Sequence, residues 1–476
     1  MRCNLATCFR RACFFENFSR LLLTGSSVSP RSNKHLNPTE KMNASRNNPV
    51  YKLLRIVSNV EANEVRALMG SFLFVVVLMS AYYILRPVRD AMASDWTDAE
   101  VSWLWTLNFF ISTAVVALYG ALVSHFRLRL LVPAIYGIFA LTFLSFFVLA
   151  ATMDDRTLVD KSFYVWVSVF SLFHISVFWS FMSDLFSKEQ AGRLFGIIAA
   201  GASVGGLIGP SIPSFFSASL GTDNLLLLAS AMLLVPIPII FYLQSLKSSG
   251  LQNEGLAVAT PEVKIGGNPL AGFKLFFSNP YLMAIGLFIF LYTGISSFVY
   301  FELKNLLSEL SRAERTAVWA QMDLAVNVLS IAMGLFATGR IIGKFGMPVA
   351  IAFIPVLICA GLVIVAVSPF LGAVVALQVI RRAGNYGVTK PAREVLFTRV
   401  DREARFKAKP VIDIVAYRGG DMLMAWLFTG LTQGLGLGLA AVAAVGAGIA
   451  ALWSLVGIYL GRWFEQEEAQ RVDELM

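Results

Sequence analysis

Charge is what this chain has least of. Asp, Glu, Lys and Arg make up 14% of its 476 residues, against about 25% in ordinary soluble domains. Histidine occurs only 3 times, and the 4 cysteines form no ligand pairs: Cys3, Cys8 and Cys13 crowd the N-terminus while Cys359 lies alone in an apolar run. Neither a metal centre nor a disulfide framework is supported by such spacing. No GxxxxGK(S/T) phosphate loop is present; Gly339 to Lys344 approaches one only superficially, at a helix end. ATP-driven pumping by this chain alone is therefore disfavoured. HExxH and nucleophile-elbow motifs are missing too, so no enzymatic reading and no cofactor is supported.

What the chain has in abundance is apolar surface. It is 57% hydrophobic with a mean hydropathy of +0.68, more than cores of normal domain size can hide. Lipid must cover the remainder. The 38 Phe and 36 Gly suit lipid contact and close helix packing. A net charge of +9 raises the question of nucleic acid, but the basic residues sit in short loops rather than one patch. That distribution marks membrane topology and excludes a nucleic-acid polymer as partner.

A membrane span needs about 20 apolar residues. Candidates fall at 66–88, 101–123, 130–152, 162–184, 194–217, 224–243, 281–303, 319–341, 347–367, 370–391, 411–433 and 436–460. The fold class is thus an all-α membrane protein of about twelve transmembrane helices. Residues 244–280, with Pro261, Gly266, Gly267 and Pro269, form a linker that divides the spans six and six. The halves run 51–243 and 281–463, with a tail at 464–476. Alternating apolar and charged positions from Tyr51 to Arg66 suggest an interfacial helix. Before it, the Arg- and Ser-rich residues 1–50 have three readings: a transit peptide, a disordered tail, or an early start with Met42 as the true one.

Loops after even-numbered spans carry fifteen Lys and Arg, six of them between Arg393 and Lys409; those after odd-numbered spans carry seven. The positive-inside rule places both termini in the cytoplasm, and the expected location is a bacterial inner membrane. The halves echo one another: Gly120 precedes Phe126 and Arg127 after the second span, and Gly339 precedes Lys344 and Phe345 after the eighth. Such parallel repeats belong to secondary transporters that rock about a central site. In the fifth span Gly201, Gly205, Gly206, Gly209 and Pro210 form a small-residue stripe, compatible with tight packing and with a bend used in alternating access.

Ionisable residues inside apolar runs each cost at least ~2.5–3.5 kcal/mol at a helix centre, so each needs a partner or a water-filled cavity. Arg86, Arg89 and Asp90 end the first span, flanking Pro87; Asp184 ends the fourth; Glu302 and Lys304 close the seventh; Asp323 lies in the eighth. Arg381 and Arg382 lie deep in the tenth span, followed by Lys390, Arg393 and Glu394, and Asp413, Arg418 and Asp421 occupy the eleventh. The plain alternative is that Arg86, Asp90, Lys304, Asp323, Arg381, Arg382, Asp413, Arg418 and Asp421 pair with each other, gating a cavity or locking the halves. His174 is read as a satisfied core residue. Several basic groups facing one cavity would suit an anion, because guanidinium matches phosphate or carboxylate oxygens bidentately.

Two stretches carry a resemblance. Residues 82–92, YYILRPVRDAM, and blocks within 390–421, KPAREVLF, FKAK and RGGD, resemble the ATP:ADP antiporter (nucleotide transporter) family of plastids and intracellular bacteria, whose fold is similar to the major facilitator superfamily. The chain looks closest to members from free-living bacteria. The resemblance implies functional charges at Arg89, Asp184, Glu302 and Arg393. Lysine is usual in that family where Arg89 and Arg393 stand, and glutamate where Asp184 stands; sign is kept while reach changes.

The resulting expectation is a secondary transporter of an anionic, phosphorylated solute of nucleotide type. Arg89 and Arg393 would bind phosphate, Asp184 and Glu302 would orient it or pair with the empty arginines, and a monomer suffices. Two alternatives remain. One is a proton-coupled transporter of an unrelated organic solute, with the proton on Asp184, Glu302 or Asp323. The other is a non-transporting membrane sensor or assembly partner that docks through Arg393–Lys409.

Overall fold

In lipid a long apolar run can satisfy its backbone only as a helix or within a closed barrel, and the described residues form helices and no strand. The computed structural model describes residues 60–475 apart from 62, 126–127, 250–270 and 401–410. The N-terminal extension, most of the interfacial helix and the centre of the linker lie outside these. Among the described residues ten helices are long and apolar enough to cross a membrane, matching the first nine expected spans and the twelfth.

The first half comprises α1 (Val65–Met92), α2 (Asp98–His125), α3 (Leu128–Thr152), α4 (Thr157–Leu185), α5 (Lys188–Leu220) and a sixth span divided into α6 (Thr222–Leu234) and α7 (Pro236–Ser249). The division falls where Pro236 cannot donate a backbone hydrogen bond. A short α8 (Ala271–Ser278) precedes the second half, so the expected linker is helical at both described ends. Then follow α9 (Pro280–Leu306), α10 (Arg312–Phe336), α11 (Thr338–Val367), α12 (Leu371–Gly384), α13 (Lys390–Leu396), α14 (Gly420–Thr429) and α15 (Leu439–Leu475).

Local chemistry sets several of these starts. Ser187 and Gln190 form a reciprocal capping box at α5, and Ser311 and Glu314 form one at α10; each satisfies orphan amides at a helix start. Asn279 caps α9 ahead of Pro280, the position where proline's missing N–H matters least. Within α11 the chain turns at Gly346, with φ 78° and ψ 177°, a conformation glycine adopts without a Cβ penalty.

The tenth and eleventh spans depart from regular α-helices. α12 runs through a π turn, Asn385–Thr389, into α13. The eleventh span opens as a π segment, Asp413–Gly419, continues as α14 and ends in a second π turn, Gly430–Gly434. Each π turn takes in an extra residue and rotates the side chains beyond it, a feature frequent at functional sites.

The glycine stripe of α5 lies against α1. A Cβ at Gly205 would come 2.5 Å from the Val76 carbonyl oxygen, and one at Gly209 would come 2.7 Å from that of Ser80. Backbone contact, rather than spare flexibility, requires these glycines. Pro210 has no N–H for the carbonyl of Gly206 four residues earlier, and Asn327 Nδ2 on α10 donates to that oxygen at 2.8 Å. A break in one half is thus satisfied by the other. Outward-facing Phe215, Leu335 and Val367 are 70%, 72% and 82% exposed, surface that lipid must cover.

Candidate functional site

Charges that cost most in lipid converge where the halves meet. A cavity of about 210 Å³ is lined by Arg86, Arg89 and Asp90 of α1, Trp105 and Asn108 of α2, and Tyr164, Ser168 and Ser171 of α4. Facing them are Ser296 and Tyr300 of α9, Trp319 of α10, Gln378 and Arg381 of α12, and Arg418 and Asp421. A second cavity of about 560 Å³ shares Arg418 and Asp421 and adds Tyr292, Asn385, Tyr386, Lys390, Arg393, Glu394 and Tyr417. The lining draws on spans one, two and four of one half and seven, eight, ten and eleven of the other. Counted together, the two linings hold six basic residues, Arg86, Arg89, Arg381, Lys390, Arg393 and Arg418, against three acidic ones, Asp90, Asp421 and Glu394.

The basic groups differ in how fully they are engaged. Arg89 forks onto Asp90 Oδ1 with Nε and Nη2 at 2.9 and 2.6 Å, donates to Ser168 Oγ at 3.2 Å, and its guanidinium carbon stands 5.4 Å from the Tyr164 ring centroid. Asp90 also faces Arg86 Nε at 3.6 Å. Arg381, 3% exposed, donates only to neutral oxygens: Gln378 Oε1 at 3.0 and 2.7 Å and the Tyr292 hydroxyl at 3.4 Å. Arg393 donates to the Tyr417 hydroxyl at 2.6 Å, while its Nε is buried without a partner. The Glu394 carboxylate stands 3.8 Å from Arg393 Nη2. Buried guanidinium groups with unused donors beside a cavity are equipped to receive an anion.

Behind this lining lies a second charge cluster. Asp323 Oδ1 on α10 faces Arg382 at 2.5 Å and Arg86 at 3.6 Å, and the Arg86 contact crosses between the halves. The remaining expected site residues fall elsewhere. Asp184 is at the end of α4, 48% exposed in its side chain, paired with Lys247 at 3.0 Å. Glu302 is buried near the end of α9, and neither carboxylate oxygen has a hydrogen-bond partner. Neither lines either of these two cavities, whereas Arg89 and Arg393, the other two charges the resemblance implies, do. The side chain of Asp413 lies outside the described residues. His174 Nδ1 lies 3.1 Å from the Phe170 carbonyl oxygen, and its ring stacks on Tyr82 at 4.4 Å.

A further group joins the halves at the end bearing residues 95–98. Lys304 of α9 pairs with Asp98 of α2 at 2.9 Å, and both are almost wholly buried. Arg312 reaches Asp95 at 2.7 Å and Asp160 at 2.8 Å, and Arg315 reaches Asp95 at 2.5 Å. Thr432 donates to Asp98 at 2.8 Å. At the opposite end, Lys247–Asp184 and Arg193–Glu64 each lie within the first half, and Met347 N–Glu465 lies within the second. Asp95 and Asp98 escaped attention in the sequence because they sit in a short polar stretch, where charge costs nothing.

Residues 68–400 match the family model described as Major Facilitator Superfamily. Solved structures with the same fold include a bacterial homolog of the human lysosomal transporter Spinster, in an inward-facing and unoccupied conformation. It is 13% identical, with 85% of this chain and 97% of that one covered and a TM-score of 0.53. The nucleoside transporter NupG is 12% identical, with 84% and 98% covered and a TM-score of 0.58. A mutant of NupG gives 13%, 84%, 99% and 0.59. No curated protein matches the chain in sequence.

Proposed function

The chain belongs to the Major Facilitator Superfamily, and from that premise we propose that this secondary transporter carries an anionic, phosphorylated solute of nucleotide type by alternating access. The observation behind this reading is the charge of the central cavities: six basic groups against three acidic, drawn from both halves. Arg89 of the first half and Arg381 and Arg393 of the second would bind phosphate oxygens. Trp105, Tyr164 and Tyr300 beside Arg89 offer aromatic faces to an aromatic base. An occupied site holds guanidinium groups of both halves on one ligand, favouring passage of the loaded carrier and hence exchange. The resemblance of residues 82–92 and 390–421 to ATP:ADP antiporters supports the same class, and the fold likeness to a nucleoside transporter is compatible with it.

The test is uptake of labelled nucleoside mono-, di- and triphosphates into proteoliposomes preloaded with unlabelled nucleotide. Saturable uptake requiring internal nucleotide, lost in R89A and R393A, is the expected result. Equal uptake of uncharged nucleosides, or none by a folded protein, would overturn the anionic reading.

A further inference from the structure

The surplus of positive charge around the two cavities is unevenly placed. Six cations against three carboxylates leave an excess of three. One of these is Lys390 of the second cavity, which is exposed and therefore screened by water and salt. Arg393 of that cavity has Glu394 at 3.8 Å. The other two belong to the first cavity, where Arg86, Arg89, Arg381 and Arg418 face only Asp90 and Asp421 among the described residues. The buried pair behind it, Arg382 and Asp323, adds one charge of each sign and leaves the excess at two.

Partner geometry identifies the two cations that carry this excess. Asp90 is occupied by Arg89, which forks onto it at 2.9 and 2.6 Å. Asp421 follows Arg418 by three positions, about one helical turn. Arg381 donates to the neutral oxygens of Gln378 and Tyr292. Arg86 stands 3.6 Å from both Asp90 and Asp323, each of which holds a closer arginine. Its Nε is buried without a hydrogen-bond partner. An incompletely compensated buried charge is costly, so Arg86 of the first half and Arg381 of the second gain most from an arriving anion.

We infer that the first cavity is built for a dianion, a single phosphate monoester group bound by Arg86 and Arg381. This rests on the phosphate reading of the same site and narrows it to one charge class. A monoester carries about 1.5–2 negative charges at pH 7, on three strong acceptor oxygens. A phosphodiester or monocarboxylate leaves one cation unmatched. A di- or triphosphate brings surplus negative charge into a buried site that already holds Asp90 and Asp421. The cavity of about 210 Å³ is smaller than the roughly 300–1,000 Å³ of pockets for drug-sized ligands. Both charges must therefore sit on one compact group, not at the two ends of a long dicarboxylate. The second cavity, which shares Arg418 and Asp421, gives room for whatever part of the solute the first does not hold.

The experiment measures binding to the purified full chain at about pH 8, where a monoester is doubly ionised, without divalent cations. The probes are adenosine monophosphate, its methyl ester, adenosine diphosphate, ribose phosphate and the methyl ester of ribose phosphate. Each monoester should bind about 10- to 100-fold more tightly than its methyl ester, and the adenosine monoester more tightly than the diphosphate. R86Q and R381Q, each removing one of the two cations, should reduce the preference for monoester over methyl ester about tenfold or more. A merely structural role for the arginines would weaken both ligands equally. Binding of ribose phosphate without binding of the adenosine compounds would sink the nucleotide reading and leave the dianion site standing. Tightest binding of the diphosphate, equal affinity for monoester and methyl ester, or equal losses for both in the two variants would overturn the dianion site alone. No binding of any probe by folded protein would overturn both.

Discussion

Replacing Asp98 by Asn should open the end of the molecule that is closed in this structure. Asp98 and Lys304 face each other at 2.9 Å with side chains only 8% and 2% exposed, so neither charge has water as an alternative partner. Removing one member of such a buried pair costs roughly 3–5 kcal/mol, because the other charge is stranded. Lys304 keeps the Trp96 carbonyl and Asn305 Oδ1, neutral oxygens that offset only part of this. Parting the halves lets the ammonium reach water and avoid the penalty, so the closed state alone is destabilised. Even ~3 kcal/mol corresponds to a shift of about 100-fold in the open-to-closed ratio. The assay is the separation of spin labels at Leu158→Cys in the first half and Glu309→Cys in the second, both exposed positions, in the full chain in lipid with native cysteines replaced, for D98N, K304Q and the double variant. Replacing both charges strands neither, so D98N/K304Q should recover most of the closed population, giving a large coupling in the double-mutant cycle. Additive single effects, or an unchanged distance in D98N, would refute the view that this pair holds the halves together.

Arg381→Gln should weaken substrate binding while sparing the fold. It removes a buried cation whose hydrogen bonds go to the neutral oxygens of Gln378 and Tyr292, and a hydrogen bond to a charged group contributes about 1.5–3 kcal/mol; a rise of about 10- to 100-fold in KM for anion uptake is expected. Asp184→Asn should leave uptake within about twofold of its starting value, since exposed pairs such as Asp184–Lys247 contribute about 0–1 kcal/mol. Asn327→Ala should lower the melting temperature measurably, because it strands the Gly206 carbonyl that Pro210 cannot serve, at about 1–3 kcal/mol. Gly205→Leu should prevent recovery of folded protein in detergent, as its side chain meets the Val76 backbone rather than a movable group.

The sequence by itself determined the membrane class and the places worth watching. Hydropathy is a sum over local residues, and lipid enforces helix wherever that sum is high, so the spans could be read without tertiary information. Charge inside a span stands out for the same reason, and Arg86, Arg89, Arg381 and Arg393 were singled out by cost alone. Which charge meets which was decided by tertiary structure. Asp98 and Lys304 lie 206 positions apart and Arg86 and Asp323 lie 237 apart, and no local pattern encodes the helix rotation and crossing that bring them together. The π turns at Asn385–Thr389 and Asp413–Gly419 rotate the residues within and beyond them, so a regular helical phase misplaces Arg393 and Arg418. Asp184 and Glu302 show the same boundary from the other side. Their sign and depth were legible, but only packing placed one at the exposed end of α4 and enclosed the other with no hydrogen-bond partner among the described residues.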